Sequence, residues 1–142
     1  MTAEKDLRVL LSNLSPVVSA DEFVFVSLSE RESEDEKNRL LFTQAKGVFK
    51  EAEGVTFILE RQLARRCGLK GEGPFKCITC EVHSSLDAVG MTAAMSAALG
   101  GANISANVVA AYHHDHIFVQ SDKASHAVVV LNGLSAGQFA CG

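Results

Sequence analysis

From Pro74 to Val82 the side chains alternate (Pro74-Phe75-Lys76-Cys77-Ile78-Thr79-Cys80-Glu81-Val82) behind a Gly-Pro boundary, the period-2 signature of a strand. The period then changes. Met91, Ala94, Met95, Ala98 and Leu99 share one face at helical spacing, and Gly100 and Gly101 stand where a helix C-cap wants a positive φ. Ile104 to Ala111 turns β-branched, Tyr112 to His116 reads as a hairpin, and a second strand runs on to Gln120. Ser121 or Asp122 is placed to cap a last helix with Ala124, Ala127, Val128 and Leu131 on one face and Gly133 and Gly137 beyond it. The order β-α-β-β-α, from about Phe75 to Leu134, gives the first five elements of a ferredoxin-like βαββαβ unit, an α+β fold with an antiparallel sheet. The sixth element is missing. Gln138 to Gly142 is too short for it, so the N-terminal half is the candidate to supply the edge strand.

Upstream, Leu7, Leu10, Leu11 and Leu14 form one helical stripe that Pro16 stops, a helix for docking on a core. Glu22 to Ser29, built around Phe23-Val24-Phe25-Val26, reads as a strand buried on both faces. Ser29 to Arg39 mixes both charges without an apolar anchor, as a solvated loop or exposed helix edge does. Leu40 to Thr43 and Gly47 to Phe49 are candidates for short strands. Val55 to Leu59 is a clear strand after a turn at Gly54, and Glu60 to Cys67 a short helix ended by Gly68. Three glycines and a proline between Gly68 and Pro74 cannot sustain helix or central strand, which places a boundary there and divides the chain into halves 1–70 and 71–142. No internal sequence repeat is legible.

At 142 residues and 47% hydrophobic content the chain can build one compact core or two small ones. A net charge of -4, from 13 basic and 17 acidic residues, gives no positive field for a phosphate backbone and argues against nucleic acid. Glu4, Lys5, Asp6 and Arg8 interrupt any apolar leader, and no run reaches the roughly 20 residues that span a bilayer, so a cytoplasmic protein without membrane contact is expected. Cys77 and Cys80 have Cys-x-x-Cys spacing, but in a strand they point to opposite faces, which favours reduced, structural thiols; Cys67 and Cys141 have no near partner. No phosphate loop, dinucleotide fingerprint or nucleophile motif is present, so neither a cofactor nor catalysis is expected.

Two places concentrate chemistry. Between the strand ending near Val82 and the helix at Met91 runs His83-Ser84-Ser85-Leu86-Asp87-Ala88-Val89-Gly90. A helix N-terminus offers unpaired N–H groups to a carboxylate, Asp87 and the hydroxyls suit an ammonium, and Gly90 permits close approach; an α-amino acid presents both groups. Ser84, Ser85 and Asp87 are equally ordinary turn and cap residues. The second place is Tyr112-His113-His114-Asp115-His116. On a strand His113 and Asp115 alternate against His114 and His116, so only part of the cluster can meet one ion; lining a ligand pocket, a subunit contact or hairpin structure are the other readings.

The Gly90 turn, the Ala/Ser/Met helix, Gly101-Ala102-Asn103-Ile104-Ser105, and the stretches GMTAAMSAAL, ISANVVAAYHHDHIFV, EFVFVSL and GVTFILE together resemble the ACT domain. More narrowly, the chain is similar to short stand-alone ACT-like proteins and to the paired ACT modules of aspartate kinases and of arginine-sensing proteins. Where general ACT domains carry proline before the turn glycine, this chain has Val89. The resemblance implies two ACT-like halves and a homodimer that binds an amino acid and regulates without catalysing. Its ligand set would be Ser84, Ser85, Asp87, Val89, Gly90, Met91 and Thr92, with Asn103 and Ile104 facing the turn, and His114. The alternatives are a metal-binding protein using His113 to His116 and a structural interaction module without a ligand.

Overall fold

The computed structural model describes residues 3–81 and 90–137. Two compact units emerge: a central one, residues 21–75, and a terminal one that joins residues 1–20 to 76–142. Two strands, β1 (Val17–Leu28) and β4 (Glu72–Glu81), contribute to both.

The central unit is a complete βαββαβ. After β1 come the short helix α2 (Glu30–Glu34), one 3-10 turn, and α3 (Leu41–Gln44); then strands β2 (Gly47–Glu51) and β3 (Gly54–Glu60), helix α4 (Arg61–Arg66) and the start of β4. Its strands lie in the order β2-β3-β1-β4. Antiparallel register pairs Val24 with Leu59, Val26 with Phe57 and Leu28 with Val55. These pairs form the core with Leu41 and Leu63, since alternate residues of a strand share a face.

One expectation is met and one corrected here. The charged run after β1 starts as an exposed helix, the second of the two forms expected, because Ser29 and Glu32 form a capping box: Glu32 N–H donates to Ser29 Oγ (3.1 Å) and Ser29 N–H to Glu32 Oε1 (2.9 Å). Leu40 to Thr43 is no strand, because Asn38 Nδ2 donates to Glu32 O (2.9 Å) and Leu41, 1% exposed, anchors a helical turn. The glycine-rich boundary likewise carries a strand. β4 starts at Glu72 and passes through Gly73 and a cis Gly73-Pro74 peptide; a Cβ on Gly71 or Gly73 would come within 2.7 Å of Phe25 O or 2.9 Å of Phe23 O, so glycine is what lets this backbone lie against β1.

The terminal unit holds helix α1 (Ala3–Ser12), the rest of β4, helix α5 (Met91–Gly101), strands β5 (Asn107–Ala110) and β6 (His114–Gln120), and helix α6 (Ala124–Ser135). The strand order β1-β4-β6-β5 identifies the missing edge element: the first residues of β1 supply it, and Cys77 N–H donates to Ser19 Oγ (3.0 Å). Leu11, Leu14, Ile78, Met95, Ile117 and Leu131 are fully buried among the helices and sheet.

Here too details differ from expectation. Helix α5 continues through Gly100 and Gly101, and the left-handed residue is Asn103, φ 62°, closing a Schellman motif: Ile104 N–H donates to Leu99 O and Asn103 N–H to Gly100 O, both 2.9 Å. Strand β5 therefore begins three residues later than Ile104. Ser121 and Asp122 form a 3-10 turn instead of a side-chain cap, Ser121 Oγ is buried without a hydrogen-bond partner, and α6 runs through Gly133.

Candidate functional site

Strands β4 and β6 sort the chemistry of the terminal unit by face. Ile78, Cys80, Ile117 and Val119 belong to the core beneath the helices, and alternation puts Asp115 on that side. The opposite side carries Cys77, Thr79, His114 and His116. There Thr79 Oγ1 and His116 Nδ1 are hydrogen-bonded at 3.0 Å, Cys77 Sγ lies 3.9 Å from the same nitrogen, and the His114 and His116 rings are 6.1 Å apart. The set His113 to His116 thus does not converge as a metal site, since Asp115 points away from His114 and His116. Among the described residues no group of three or more His, Cys, Asp or Glu side chains could hold an ion.

Asp115 is 6% exposed on the core side of β6. Burial raises its pKa above the usual carboxylate value. Burial also pushes the neighbouring Cys80 thiol up to about 12, helped by the charge of Asp115 and then by Cys77. The Cys80 thiol is inert at neutral pH.

The central unit has a matching position. The β2-β3 and β5-β6 hairpins share one register sixty residues apart: Gly47 faces Ile58 as Asn107 faces Phe118, and Lys50 faces Val55 as Ala110 faces Asp115. Asp115 therefore stands where the central unit has Val55, 5% exposed. Since Ser27 faces Thr56 as Thr79 meets His116, Cys80 takes the place of Leu28. A polar pair replaces an apolar pair in otherwise matching folds.

The helix starts differ as well. In the central unit the N-terminus of α2 is closed by the Ser29–Glu32 box. In the terminal unit the N-cap of α5 is Gly90, φ 100°, which has no side chain with which to cap the helix. Met91 is buried and Thr92 exposed, and these three residues lie together where α5 begins. Cys80, beside Asp115, is near the end of β4, and α5 is the next described element along the chain.

Other expected residues fall elsewhere. Asn103 and Ile104 follow the far end of α5, which at eleven residues is about 16 Å long. They line a separate cavity of about 350 Å³ with Gln120 and Lys123, whose Nζ donates to Asn103 O (2.8 Å). His114 is on the other face of β6 from Asp115. Ser84, Ser85, Asp87 and Val89 lie outside the described residues, as do His83 and Cys141. Asp115 itself was legible only as a member of the histidine cluster; its in-phase spacing with Ile117 and Val119 is the signal that marks it as a carboxylate aimed at a core.

Helix α1 adjoins this region. Glu81 N–H donates to Leu14 O (2.8 Å), and a Cβ on Gly90 would lie 3.3 Å from Leu7 Cδ2.

Comparison with known proteins gives a consistent picture. Two family models described as ACT domain match residues 2–76 and residues 72–133. No curated protein matches the sequence. Among solved structures, VC0802 from Vibrio cholerae, a protein of unknown function, is 38% identical, with 94% of this chain and 99% of that one covered and a TM-score of 0.80. The regulatory subunit of aspartate kinase from Thermus thermophilus, in a ligand-free form, is 8% identical over 84% of this chain and 96% of that one, TM-score 0.62. Atu0741 from Agrobacterium tumefaciens is 14% identical over 81% and 84%, TM-score 0.63. At these identities the last two show a shared fold alone. No helix among the described residues is long and apolar enough to cross a membrane.

Proposed function

The chain belongs to the ACT domain family, and from that premise we propose that it is a regulatory protein that binds an α-amino acid in its terminal unit. The observation that supports this most directly is Asp115 in the place of Val55. Placing a carboxylate against a core costs free energy on the order of 1–3 kcal/mol, and an apolar residue at the matching position folds without that cost. A ligand ammonium would supply a partner to that carboxylate, and the start of α5 would supply N–H groups and partial positive charge to the ligand carboxylate.

In this reading Gly90, Met91 and Thr92 form one wall and Asp115 the other, and Ser84, Ser85, Asp87 and Val89 belong to the same proposed ligand set. Asn103 and Ile104 are too far along α5 to reach the same ligand from their own unit. They would meet it from a second copy, which makes the functional form a homodimer. The central unit, with its capped helix and Val55, would bind no amino acid at the matching place, giving one ligand per chain. The protein would act in the cytoplasm by binding alone, without catalysis, its ligand favouring one of two arrangements of the dimer.

Thermal unfolding against each common amino acid tests this, because a ligand that prefers the folded state raises the midpoint. One selective rise that disappears in Asp115→Asn, with that variant still folded, is the expected result. No rise with any amino acid, or an undiminished rise in Asp115→Asn, overturns the reading.

A further inference from the structure

Strand β2 ends the sheet, with no described strand beyond it, and it is exposed from Val48 to Glu51. At its centre Phe49 is 71% exposed, where the matching residue of β5 in the terminal unit is the smaller Val109. Val48 and Phe42 are exposed as well. They flank the same edge on the helix side, since Val48 faces Phe57 and the Phe42 and Phe57 ring centroids are 5.0 Å apart. Folded proteins usually guard a free edge with proline, an inward charge or a covering segment, and an apolar edge left open is where another strand adds.

The backbone sets how a strand can add. Glu51 faces Gly54 across a two-residue turn, so Glu51, Phe49 and Gly47 spend their N–H and C=O groups on β3, and those of Val48 and Lys50 point outward. A second copy can pair antiparallel with this edge about a two-fold axis perpendicular to the sheet, which keeps matching faces on one side. Each residue then meets one of its own parity, and the axis passes through a residue. Through Phe49, it sets Phe49 opposite Phe49, Gly47 opposite Glu51, and Val48 opposite Lys50, so outward groups meet outward groups. No like charges face each other. Moved to Val48, the axis sets Lys46 against Lys50; moved to Lys50 or Glu51, it sets that charge against its own copy.

We propose that β2 is a self-pairing edge: the central units of two copies join through antiparallel β2 strands centred on Phe49, which continues the sheet across the two-fold axis. Val48 and Lys50 exchange backbone N–H···O bonds, and the Lys50 stem covers Val48 of the other copy. The two Phe49 rings meet at a non-hydrogen-bonded pair, where facing side chains come closest. The contact is made by central units alone and needs no amino acid in the terminal unit.

Cysteine cross-linking of the full chain tests the register. Across the axis the two Phe49 Cα atoms would be about 4.5 Å apart, within disulfide reach, whereas the two Glu51 Cα atoms, on the same face of the same strand, would be about 14 Å apart. Mild oxidation should link Phe49→Cys into a dimer at least about ten-fold more than Glu51→Cys, with the wild type as background for the native thiols. Sedimentation without amino acids gives a second readout. Phe49→Glu and Phe49→Lys should each self-associate at least about ten-fold more weakly than wild type, and an equimolar mixture should recover the association, because the axis places the two new charges opposite each other. Equal or absent cross-linking at the two positions, undiminished association of Phe49→Glu, or a mixture that does not recover overturns the proposal. Because neither experiment needs a ligand, a failed amino-acid screen and a failed self-pairing are separate results.

Discussion

Asp115 lies against Cys80 on the buried side of the terminal sheet, the position that Val55 and Leu28 fill in the central unit. The two units share strand order, hairpin register and core positions, so the difference cannot be traced to what the fold requires.

Replacing Asp115 by Val should stabilise the ligand-free protein by about 1–3 kcal/mol near neutral pH, the order of the cost of burying a polar group. The pH dependence has a definite sign. Burial raises the folded-state pKa of Asp115, so its contribution is most favourable below the unfolded value of about 3.9 and is lost as pH rises through the folded value. Cys80, the titratable neighbour on β4, stays protonated throughout this range. Denaturant unfolding across the acidic range should show Asp115→Asn gaining on the wild type as pH rises. A Val variant less stable than wild type at neutral pH would mean that the carboxylate is already satisfied.

Gly54 and Gly100 should respond oppositely to alanine. Gly54 has φ 150°, and a Cβ there would collide with the carbonyl oxygen of Leu28, a backbone atom that cannot turn aside. Gly54→Ala should therefore cost on the order of 3 kcal/mol. Around Gly100, inside α5, a Cβ meets nothing, so Gly100→Ala should gain about 0.5–1 kcal/mol from helix propensity. Thermal midpoints of the two variants settle both signs.

The sequence made the terminal unit's β4-α5-β5-β6-α6 order readable because each element keeps its own hydrophobic period. The first crossover of the central unit was not readable: α2 exposes nearly every side chain, and what fixes it is a reciprocal Ser29–Glu32 cap rather than an apolar stripe. Discontinuous units are equally invisible in a linear pattern, since nothing in Val17 to Ala20 says that these residues pair with a strand sixty positions later. The repeat is hidden for a different reason. GVTFILE and HDHIFVQ share register and, after the first position, the burial pattern, but no residue identity, and where one has the apolar Val55 the other has the carboxylate of Asp115.

Asn103 offers a clean measure of backbone preference. Its side chain is exposed while its backbone is left-handed, so removing the amide group should cost little and the change in φ preference should dominate. Asn103→Gly should stay within about 0.5 kcal/mol of wild type, and Asn103→Ala should fall about 1 kcal/mol below Asn103→Gly. Equal stability of the two would mean that the Schellman closure at Leu99 and Gly100 is not what ends α5.

The Ser29–Glu32 box can be taken apart from either side. Ser29→Ala removes the hydroxyl that accepts from Glu32 N–H and should cost about 1 kcal/mol, the usual value of an N-cap side chain. Glu32 contributes through its charge: the Ser29 amide, then the Ser29 hydroxyl, lower its pKa, against a small opposing effect of burial. A lowered folded-state pKa gives stability that is present above the unfolded value and lost as pH falls through the folded one. Glu32→Gln should therefore be less stable than wild type at neutral pH and indistinguishable from it in strong acid, whereas Ser29→Ala should keep part of its deficit there, because its hydroxyl does not titrate. Urea unfolding of both variants at neutral and acidic pH separates the two contributions. A Glu32→Gln deficit that persists into acid would assign the effect to side-chain shape and not to charge.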